Sequence, residues 1–372
     1  MCRRSALIDE PTTAEPATPG ARLSDFDYPL PPERIAQTPL ADRSSSKLLV
    51  LDRAGNSIRH CSFRDLSEYL RPGDVLVLND TRVTAMRLFV ERPDSPGKPI
   101  EVFLIGRLAG PDDAGVENAQ LWHALVRPGK KMLPGVRVDI GRGLSLEVVS
   151  RTDDRGGRMV RISAAAGIDI DAVLADVSIA PLPPYIGTQL KGEERERYQT
   201  VYARHGGSAA APTAGLHFTP EMLRSIEDTG VRIARVTLHV GLGTFRPIET
   251  ENIAEHKMHA ERYSISEAAA EIVNSARGRV FAVGTTSART LEASAVGPHR
   301  VEAGEGETSL YVTPGFQFQV VDALVTNFHM PRSTLLLLVS ALAGRERILE
   351  AYRAALDNEY RFLSFGDAML IL

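Results

Sequence analysis

The chain has 372 residues, of which 43% are hydrophobic and 24% are charged, a globular composition that excludes disorder of the chain as a whole. The formal net charge of −4 argues against a protein that coats nucleic acids generally, although a net charge does not exclude a local basic patch. Cys2 and Cys61 are the only cysteines, so neither a disulfide framework nor a cysteine metal cluster can form.

Residues 1–20 predict a disordered tail. They are rich in proline, threonine and alanine and lack the apolar segment of a secretion signal, so we expect a cytoplasmic protein. Residues 21–70 contain the strand-like sequence SKLLVLD. This segment is predicted to belong to an α/β domain that continues over residues 164–372.

Residues 71–163 predict a small antiparallel β-barrel or sandwich, inserted into the α/β domain. Short apolar or alternating runs are separated here by glycine and proline. From Leu121 to Ile162 there are nine Lys or Arg residues against four acidic ones, the one basic concentration of the chain. An RNA-binding patch and an ordinary solvated sheet face both fit this pattern. The predicted strands are DVLVLND, AMRLFVE, IEVFLIG, LWHALVR, VRVDIG, LSLEVVS and RMVRIS.

After about Asp169, helical and strand patterns alternate, which predicts an α/β sheet. The helical segments are TPEMLRSIEDTG, SISEAAAEIVNSARG and GRERILEAYRAALDNEY, and the strands are VRIARVTLHV, VFAVGTT and VDALVTNF. The apolar run from Leu335 is too short for a membrane span of roughly 20 residues and predicts a buried helix. Ligands of such sheets lie beyond the carboxyl ends of the strands.

The segment AAPTAGLHFTPEML has a loop-like start and a clear helix signal after it. Thr219 is a suitable N-cap, Pro220 suits the first helical position, and Gly230 predicts the end of the helix. His217 therefore precedes a helix N-terminus. On its own, a single histidine beside Phe218 is more often structural than functional.

Three loops that follow predicted strands are candidate binding loops. LHVGLGTF contains His239 and two glycines and is either a ligand loop or an ordinary turn. VGTTSARTLE places Arg289 on the first turn of a helix and is either an anion site or a capped helix with an exposed arginine. TNFHMPRS places polar side chains before a buried helix, which is typical of the rim of a site.

In AEHKMHAERY, His256 and His259 are three residues apart, so on a helix they share one face. Metal binding, acid–base chemistry and a surface position all remain open for this pair, because the segment is not the H-E-x-x-H motif and shows no third ligand. A serine hydrolase is disfavoured, since the sequence contains no G-x-S-x-G.

Ten ordered segments cover nearly the whole chain beyond the tail. They are FDYPLPPERIAQTPLADRSSSKLLVLDR, LRPGDVLVLNDTRV, PLPPYI, ERYQTVYA, AAPTAGLHFTPEML, LHVGLGTFRPI, EHKMHAERY, AVGTTSARTLE, TNFHMPRSTLLLLVSALAG and YRFLSFGDAMLI. Together they closely resemble the S-adenosylmethionine:tRNA ribosyltransferase-isomerases of bacterial queuosine biosynthesis.

The resemblance implies a transferase that places the ribosyl group of S-adenosylmethionine on 7-aminomethyl-7-deazaguanine in the tRNA wobble position and isomerises it. The products are epoxyqueuosine-tRNA, adenine and methionine. The family architecture is an α/β domain with an inserted β-barrel. S-adenosylmethionine is consumed as a substrate, so no cofactor and no metal are implied, and we expect no obligate protein partner and no membrane association.

On this basis the site residues fall into three expected groups. Two or more proton-transfer groups are required, because adenine must be protonated to leave and a C5′ proton must be removed. The catalytic candidates are His217, His239, His256, His259 and His329. The substrate-binding candidates are Thr213, Gly215, Gly241, Gly243, Thr244, Glu255, Glu261, Gly284, Thr285, Thr286, Arg289, Asn327, Arg332 and Ser333. The tRNA-binding candidates are Arg127, Lys130, Lys131 and Arg137.

Two other hypotheses fit parts of the sequence. A metal-dependent hydrolase built on His256 and His259 predicts stoichiometric zinc and turnover that is sensitive to chelators. A non-catalytic RNA-binding barrel predicts tRNA binding without release of adenine.

Overall fold

The computed structural model describes residues 22–55, 57–92, 94, 96–108, 118–152, 156–190, 192–241 and 248–372. The predicted tail, residues 1–20, lies outside this range. Among the helices of the described ranges, none is both long enough and apolar enough to span a bilayer.

The strands are β1 (Lys47–Asp52), β2 (Ser57–Ser62), β3 (Val75–Asn79), β4 (Thr81–Val83), β5 (Met86–Val90), β6 (Ile100–Arg107), β7 (Ala119–Arg127), β8 (Arg137–Gly141), β9 (Leu144–Arg151), β10 (Gly157–Ala164), β11 (His205–Ser208), β12 (Arg232–Leu238), β13 (Glu261–Ile265), β14 (Val280–Val283), β15 (Ala295–Gly297), β16 (Arg300–Val301), β17 (Gly304–Thr308), β18 (Ala323–Asn327) and β19 (Ala368–Ile371). The α-helices are α1 (Ile170–Val177), α2 (Pro220–Asp228), α3 (Glu267–Asn274), α4 (Gly284–Ala293), α5 (Thr334–Ala343) and α6 (Arg345–Asp357).

A mixed nine-stranded sheet is the centre of the larger part of the molecule. Its strand order is β17-β13-β12-β3-β14-β18-β19-β1-β2. Strands β12, β3, β14 and β18 run parallel to one another, so their carboxyl ends meet at one edge. Every residue of β3, β14 and β18 is buried, as expected for parallel strands that are covered on both faces.

Two hydrophobic cores lie on the opposite faces of this sheet. One contains the helices α3, α4, α5 and α6 together with Val75 and Val77 of β3. The other contains α2, the 3₁₀-helix Phe63–Tyr69 and the alternate β3 residues Leu76 and Leu78. Because side chains alternate along a strand, the continuous apolar run of β3 contributes to both cores.

A separate antiparallel sheet of six strands, in the order β5-β6-β7-β10-β9-β8, forms the second part of the molecule. Its edge strands β5 and β8 approach each other, so the sheet is a nearly closed barrel. The alternating burial along β7 reflects side chains that point in turn into the barrel and away from it. Helix α1 adds Ile170 and Leu174 to the barrel core.

The predicted α/β fold with a small antiparallel barrel is confirmed, with one correction. The run DVLVLND was predicted to be the first barrel strand, but β3 lies in the central sheet between β12 and β14. The reason is that its side chains are apolar on both faces, whereas barrel strands such as β7 alternate. The barrel strands start with β5 and are inserted between β3 and β12. The exact domain limits at residues 70 and 163 stay a prediction.

The predicted helices α2 and α5 are confirmed. Thr219 accepts a hydrogen bond from the Met222 backbone N–H (3.2 Å), Pro220 is the first residue of α2, and Gly230 has φ = 87° after its end. The apolar run from Leu335 lies in α5, whose residues from Leu336 to Ser340 are all buried.

Candidate active site

A cavity of about 480 Å³ opens beyond the carboxyl ends of β14 and β18. Its position agrees with the rule that ligands of α/β sheets bind at this edge. Eight predicted binding or catalytic residues line it: Thr213, Gly284, Thr285, Thr286, Asn327, His329, Arg332 and Ser333. Tyr185 and Tyr198 line it as well, and neither was predicted.

The first turn of α4 forms one wall of the cavity. Gly284 begins the helix with φ = 84°, a conformation that favours glycine. No side chain caps this end of the helix. The first N–H groups of a helix have no intrahelical acceptor, and Gly284, Thr285 and Thr286 all line the cavity, which favours an anionic ligand group at this wall.

The segment before α5 forms the opposite rim. Ser333 caps α5 by accepting a hydrogen bond from the Leu336 N–H (3.2 Å) and donates to the Met330 carbonyl (2.7 Å). Arg332 has φ = 56°, and its guanidinium is 3.2 Å from a carboxylate oxygen of Glu251. Half of the Arg332 side chain is exposed, so it lies at the mouth of the cavity.

Asn327 at the end of β18 connects the cavity wall to the buried His217. Its side-chain N–H₂ donates to His217 Nε2 (3.2 Å), and its Oδ1 accepts from the Thr213 hydroxyl (2.8 Å). With Nε2 as acceptor, the neutral His217 ring carries its proton on Nδ1, which is 2.8 Å from Ser46 Oγ. This chain of contacts fixes the orientation of the Asn327 amide.

His217 itself does not line the cavity. It is the last residue of the 3₁₀-helix Thr213–His217, is 5% exposed, and packs its ring 4.9 Å from that of Phe63. Burial, together with the charge of Arg361, lowers its pKa to about 4. His217, a predicted catalytic residue, therefore lies behind the wall that Asn327 and Thr213 form and does not reach the cavity lining.

His329 is the one predicted histidine that lines the cavity. Its Nε2 is 2.8 Å from the Thr326 hydroxyl, and its backbone N–H donates to the Tyr352 hydroxyl (2.9 Å). The Tyr28 hydroxyl donates to its carbonyl oxygen. Burial lowers the pKa of His329 to about 3, so the imidazole is neutral at physiological pH.

Arg289 and Glu261 form a buried ion pair away from the cavity lining. Their side chains are 6% and 3% exposed, and Glu261 also accepts from the Gly241 N–H (2.9 Å). Because α4 begins at Gly284, Arg289 lies in its second turn and the predicted first-turn position is wrong. The buried Arg289 guanidinium is thus paired with a carboxylate of the protein and not with a ligand.

His256 and His259 do not lie on a helix. The 3₁₀-helix Ile253–Glu255 ends before His256, whose ring packs edge-on against Tyr311 at 5.3 Å. His259 and Glu255 are exposed. The expected shared helical face is therefore wrong. Within the described ranges, no three His, Cys, Asp or Glu residues are grouped as metal ligands.

His239 follows β12 at the sheet edge and precedes Val240, which lines the cavity, whereas His239 itself does not. Its Nδ1 is 2.8 Å from the Thr81 hydroxyl, and burial and the nearby His205 lower its pKa. Asp80, which is 4% exposed, accepts from the Thr237 hydroxyl (2.7 Å) and lies 3.6 Å from His205.

The polar residues after β3 were missed as site-forming residues. Asn79 joins β3, β12 and α4, because its amide donates to the Leu238 carbonyl and the Thr286 hydroxyl, both at 3.1 Å. The sequence contained a signal for these residues, since the apolar run of β3 ends abruptly in Asn-Asp-Thr.

Gly215 does not line the cavity either. A Cβ added at Gly215 would lie 2.0 Å from the Tyr202 hydroxyl oxygen, so close packing explains the glycine. Gly243 and Thr244 lie outside the described residues.

The predicted tRNA-binding residues lie at one end of the barrel. Arg127 ends β7 and is exposed, as is Lys130 in the 3₁₀-helix Gly129–Lys131. Arg137 is exposed but pairs with Glu147 at 3.2 Å, and Arg161 pairs with the same carboxylate at 3.1 Å. Part of the basic concentration is therefore neutralised within the barrel.

Comparison with known proteins identifies the family. The family model described as "Queuosine biosynthesis protein" matches residues 23–371. A protein of Symbiobacterium thermophilum named S-adenosylmethionine:tRNA ribosyltransferase-isomerase is 53% identical over 354 residues, which cover 94% of this chain and 100% of that protein. A protein of the same name from Heliobacterium modesticaldum is 50% identical over 352 residues, covering 93% and 98% of the two chains.

A solved structure agrees with this similarity. The crystal structure of S-adenosylmethionine tRNA ribosyltransferase from Thermotoga maritima is 38% identical, has a TM-score of 0.51, and covers 93% of this chain and 99% of its own. With a match over nearly the whole length in every comparison, the chain belongs to the queuosine biosynthesis protein family.

Proposed function

We propose that this protein is an enzyme that transfers and isomerises the ribosyl group of S-adenosylmethionine onto 7-aminomethyl-7-deazaguanine in the wobble position of tRNA. The products are epoxyqueuosine-tRNA, adenine and methionine. Relatives that carry the name S-adenosylmethionine:tRNA ribosyltransferase-isomerase are 50–53% identical over 93–94% of the chain, which supports this reaction. The structural observation that supports the proposal is the cavity of about 480 Å³ at the sheet edge.

The cavity suits S-adenosylmethionine in size and polarity. Its volume lies within the roughly 300–1,000 Å³ that small-molecule sites occupy. The first turn of α4 offers N–H groups to the methionine carboxylate, and the hydroxyls of Thr285 and Thr286 lie beside them. Tyr185 and Tyr198 supply apolar surface for the adenine ring.

The reaction needs proton transfers that the cavity histidine supplies poorly. A general acid must protonate adenine as it leaves, and a base must remove a proton from C5′ beside the sulfonium. His329 with a pKa of about 3 has no proton to give at neutral pH and is a weak base. We therefore assign His329 and Asn327 to positioning of the substrate.

His239 is the stronger candidate for proton transfer among the described histidines. It follows β12 at the same sheet edge and is only half buried. Its Nδ1 is held by Thr81, which leaves Nε2 directed away from that contact. An imidazole held by one nitrogen in this way is a common arrangement for acid–base catalysis.

The tRNA is proposed to contact the barrel through Arg127, Lys130 and Lys131, while the modified base enters the cavity. A tRNA substrate supports the proposal that the protein acts in the cytoplasm. S-adenosylmethionine is consumed as a substrate, and the proposed reaction includes no further cofactor and no obligate protein partner.

The test is a reaction of the full chain with S-adenosylmethionine and tRNA that carries the precursor base. We expect adenine and methionine in equal amounts by mass spectrometry. Unmodified tRNA lacking the precursor base is the control and should give neither. Formation of methylated tRNA and S-adenosylhomocysteine contradicts the proposal, and loss of turnover with a chelator favours the metal-dependent hydrolase.

A further inference from the structure

Three arginines surround a small recess next to the cavity. Arg43, Arg197 and Arg361 line this recess. Ser364 lines both the recess and the cavity, so the two adjoin. The arginines come from three distant segments of the chain, and none of them lines the cavity itself.

Within the described residues, the three guanidinium groups donate their hydrogen bonds to backbone carbonyls, which carry no formal charge. Arg43 donates to three of them, whereas Arg197 donates to two and Arg361 to one. The acceptors are Gln199 (3.0 Å), Leu216 (3.2 Å) and Glu196 (3.0 Å) for Arg43, Leu40 and Ala41 (3.2 Å) for Arg197, and Thr38 (3.3 Å) for Arg361.

The acidic neighbours leave an excess of positive charge. Glu196 lies near Arg43, but its carboxylate pairs with Arg82 at 2.5 Å. The carboxylate of Asp367 accepts from the backbone N–H groups of Lys47 (2.9 Å) and Arg361 (2.8 Å). Burial lowers the pKa of Arg43, and the charge of Arg197 lowers it further. Burial also lowers the pKa of His217, and the charge of Arg361 acts in the same direction. The contributions of these two arginines agree with a positive potential in the recess.

The size of the recess selects the kind of anion. Its volume of about 20 Å³ holds an oxygen-sized group, since one water needs roughly 10–15 Å³. A nucleobase or a nucleotide does not fit, whereas one phosphate oxygen of a chain that passes over the surface does. Arginine is well suited to this contact, because its planar group donates two parallel hydrogen bonds to a phosphate.

We propose that Arg43, Arg197 and Arg361 form a subsite for a backbone phosphate of the tRNA, beside the nucleotide whose base enters the cavity. This inference rests on the proposed function, because it takes tRNA as the ligand. Contacts to phosphates position a nucleic acid without reading its sequence. The subsite thus holds the strand at the cavity, while the barrel contacts the tRNA elsewhere.

The test compares binding of precursor-containing tRNA to the wild type and to the variants Arg197→Gln and Arg361→Gln. These arginines are chosen because Arg43 donates to three backbone carbonyls, so its replacement is expected to disturb the local fold as well. We expect the Kd for tRNA to rise about tenfold in each variant, as for loss of a charge-assisted contact. The negative slope of the logarithm of the tRNA association constant against the logarithm of the salt concentration should become shallower by about 0.7–0.9.

The control variant is Arg224→Gln, because Arg224 is exposed on α2 and pairs with Glu221. It should bind tRNA as the wild type does, and Arg361→Lys should recover part of the affinity by restoring the charge. The KM for S-adenosylmethionine should not change in any variant. Thermal melting checks that each variant is folded.

Unchanged tRNA affinity and salt slope in both folded variants overturn the subsite. A rise in the KM for S-adenosylmethionine in place of the Kd for tRNA also overturns it, because the arginines then hold the methionine carboxylate. Adenine release by the wild type tests the proposed function separately. A wild type that binds tRNA but releases no adenine refutes that function, while the binding comparison still decides the subsite.

Discussion

Buried His217 has a pKa lowered to about 4, so its folded state resists protonation. In the unfolded chain the same side chain has its ordinary pKa of about 6.5. Between these values the unfolded state binds a proton that the folded state does not, so stability is lost as the pH falls below about 6.5. His329, with a pKa of about 3, contributes in the same direction.

The variant His217→Gln removes this linkage at one site. Between pH 7 and pH 5 the wild type should lose about 2 kcal/mol more unfolding free energy than the variant, from a pKa shift worth about 1.4 kcal/mol per unit. Urea denaturation at both pH values measures this difference, and titration of carboxylates cancels between the two proteins. Equal pH dependence in the two proteins contradicts the neutral, buried state of His217.

The buried pair Arg289–Glu261 predicts a large effect of removing one charge. Glu261→Gln should lower the unfolding free energy by about 3–5 kcal/mol, because Arg289 then remains buried without a compensating carboxylate. The matched control is Glu221→Gln, whose partner Arg224 is exposed and whose loss should lower the unfolding free energy far less. Chemical denaturation measures both variants, and similar losses in the two refute the structural assignment of Arg289.

At the scale of elements, the first turn of α4 is the wall to which we assign the methionine carboxylate. Gly284→Ala imposes a side chain at φ = 84°, although the space around its Cβ is ordinary. Gly315→Ala is the matched control, since Gly315 has φ = 98° with open space around it and does not line the cavity.

Both glycine variants should lose about 1–3 kcal/mol of unfolding free energy through backbone strain. Only Gly284→Ala should raise the KM for S-adenosylmethionine, by roughly tenfold, because the N–H groups of the turn move. Steady-state kinetics with tRNA in excess measures this. An equal rise in KM for Gly315→Ala would show that strain alone changes binding.

The sequence pattern identified elements where a segment had one clear period or a capping residue. Thr219, Pro220 and Gly230 marked α2 correctly, since the capping contacts are local. The assignment of Val75–Asn79 to the barrel failed, because a short apolar run does not say which of two sheets will bury it. The shared helical face expected for His256 and His259 was wrong, because a spacing of three residues is also compatible with an extended chain.

At the scale of the whole molecule, the site is built from contacts between distant residues. His217 contacts Ser46, which is 171 positions away in the sequence, and Asn327, which is 110 positions away. No local pattern contains such pairs, so the residues alone favoured a structural role for His217, and the family resemblance made it a catalytic candidate without placing it behind the cavity wall. The family resemblance identified the segments that converge, and the structure adds which side chains reach the cavity.

The central claim is that the cavity presents S-adenosylmethionine as a ribosyl donor to tRNA. The direct measurement uses S-adenosylmethionine labelled with ¹³C either in its ribose or in its methyl group, followed by mass spectrometry of the digested tRNA. We predict that the wobble nucleoside gains the ribose carbons and that the methyl label leaves in methionine. Methyl label in the tRNA, with the ribose label kept in S-adenosylhomocysteine, would contradict the account.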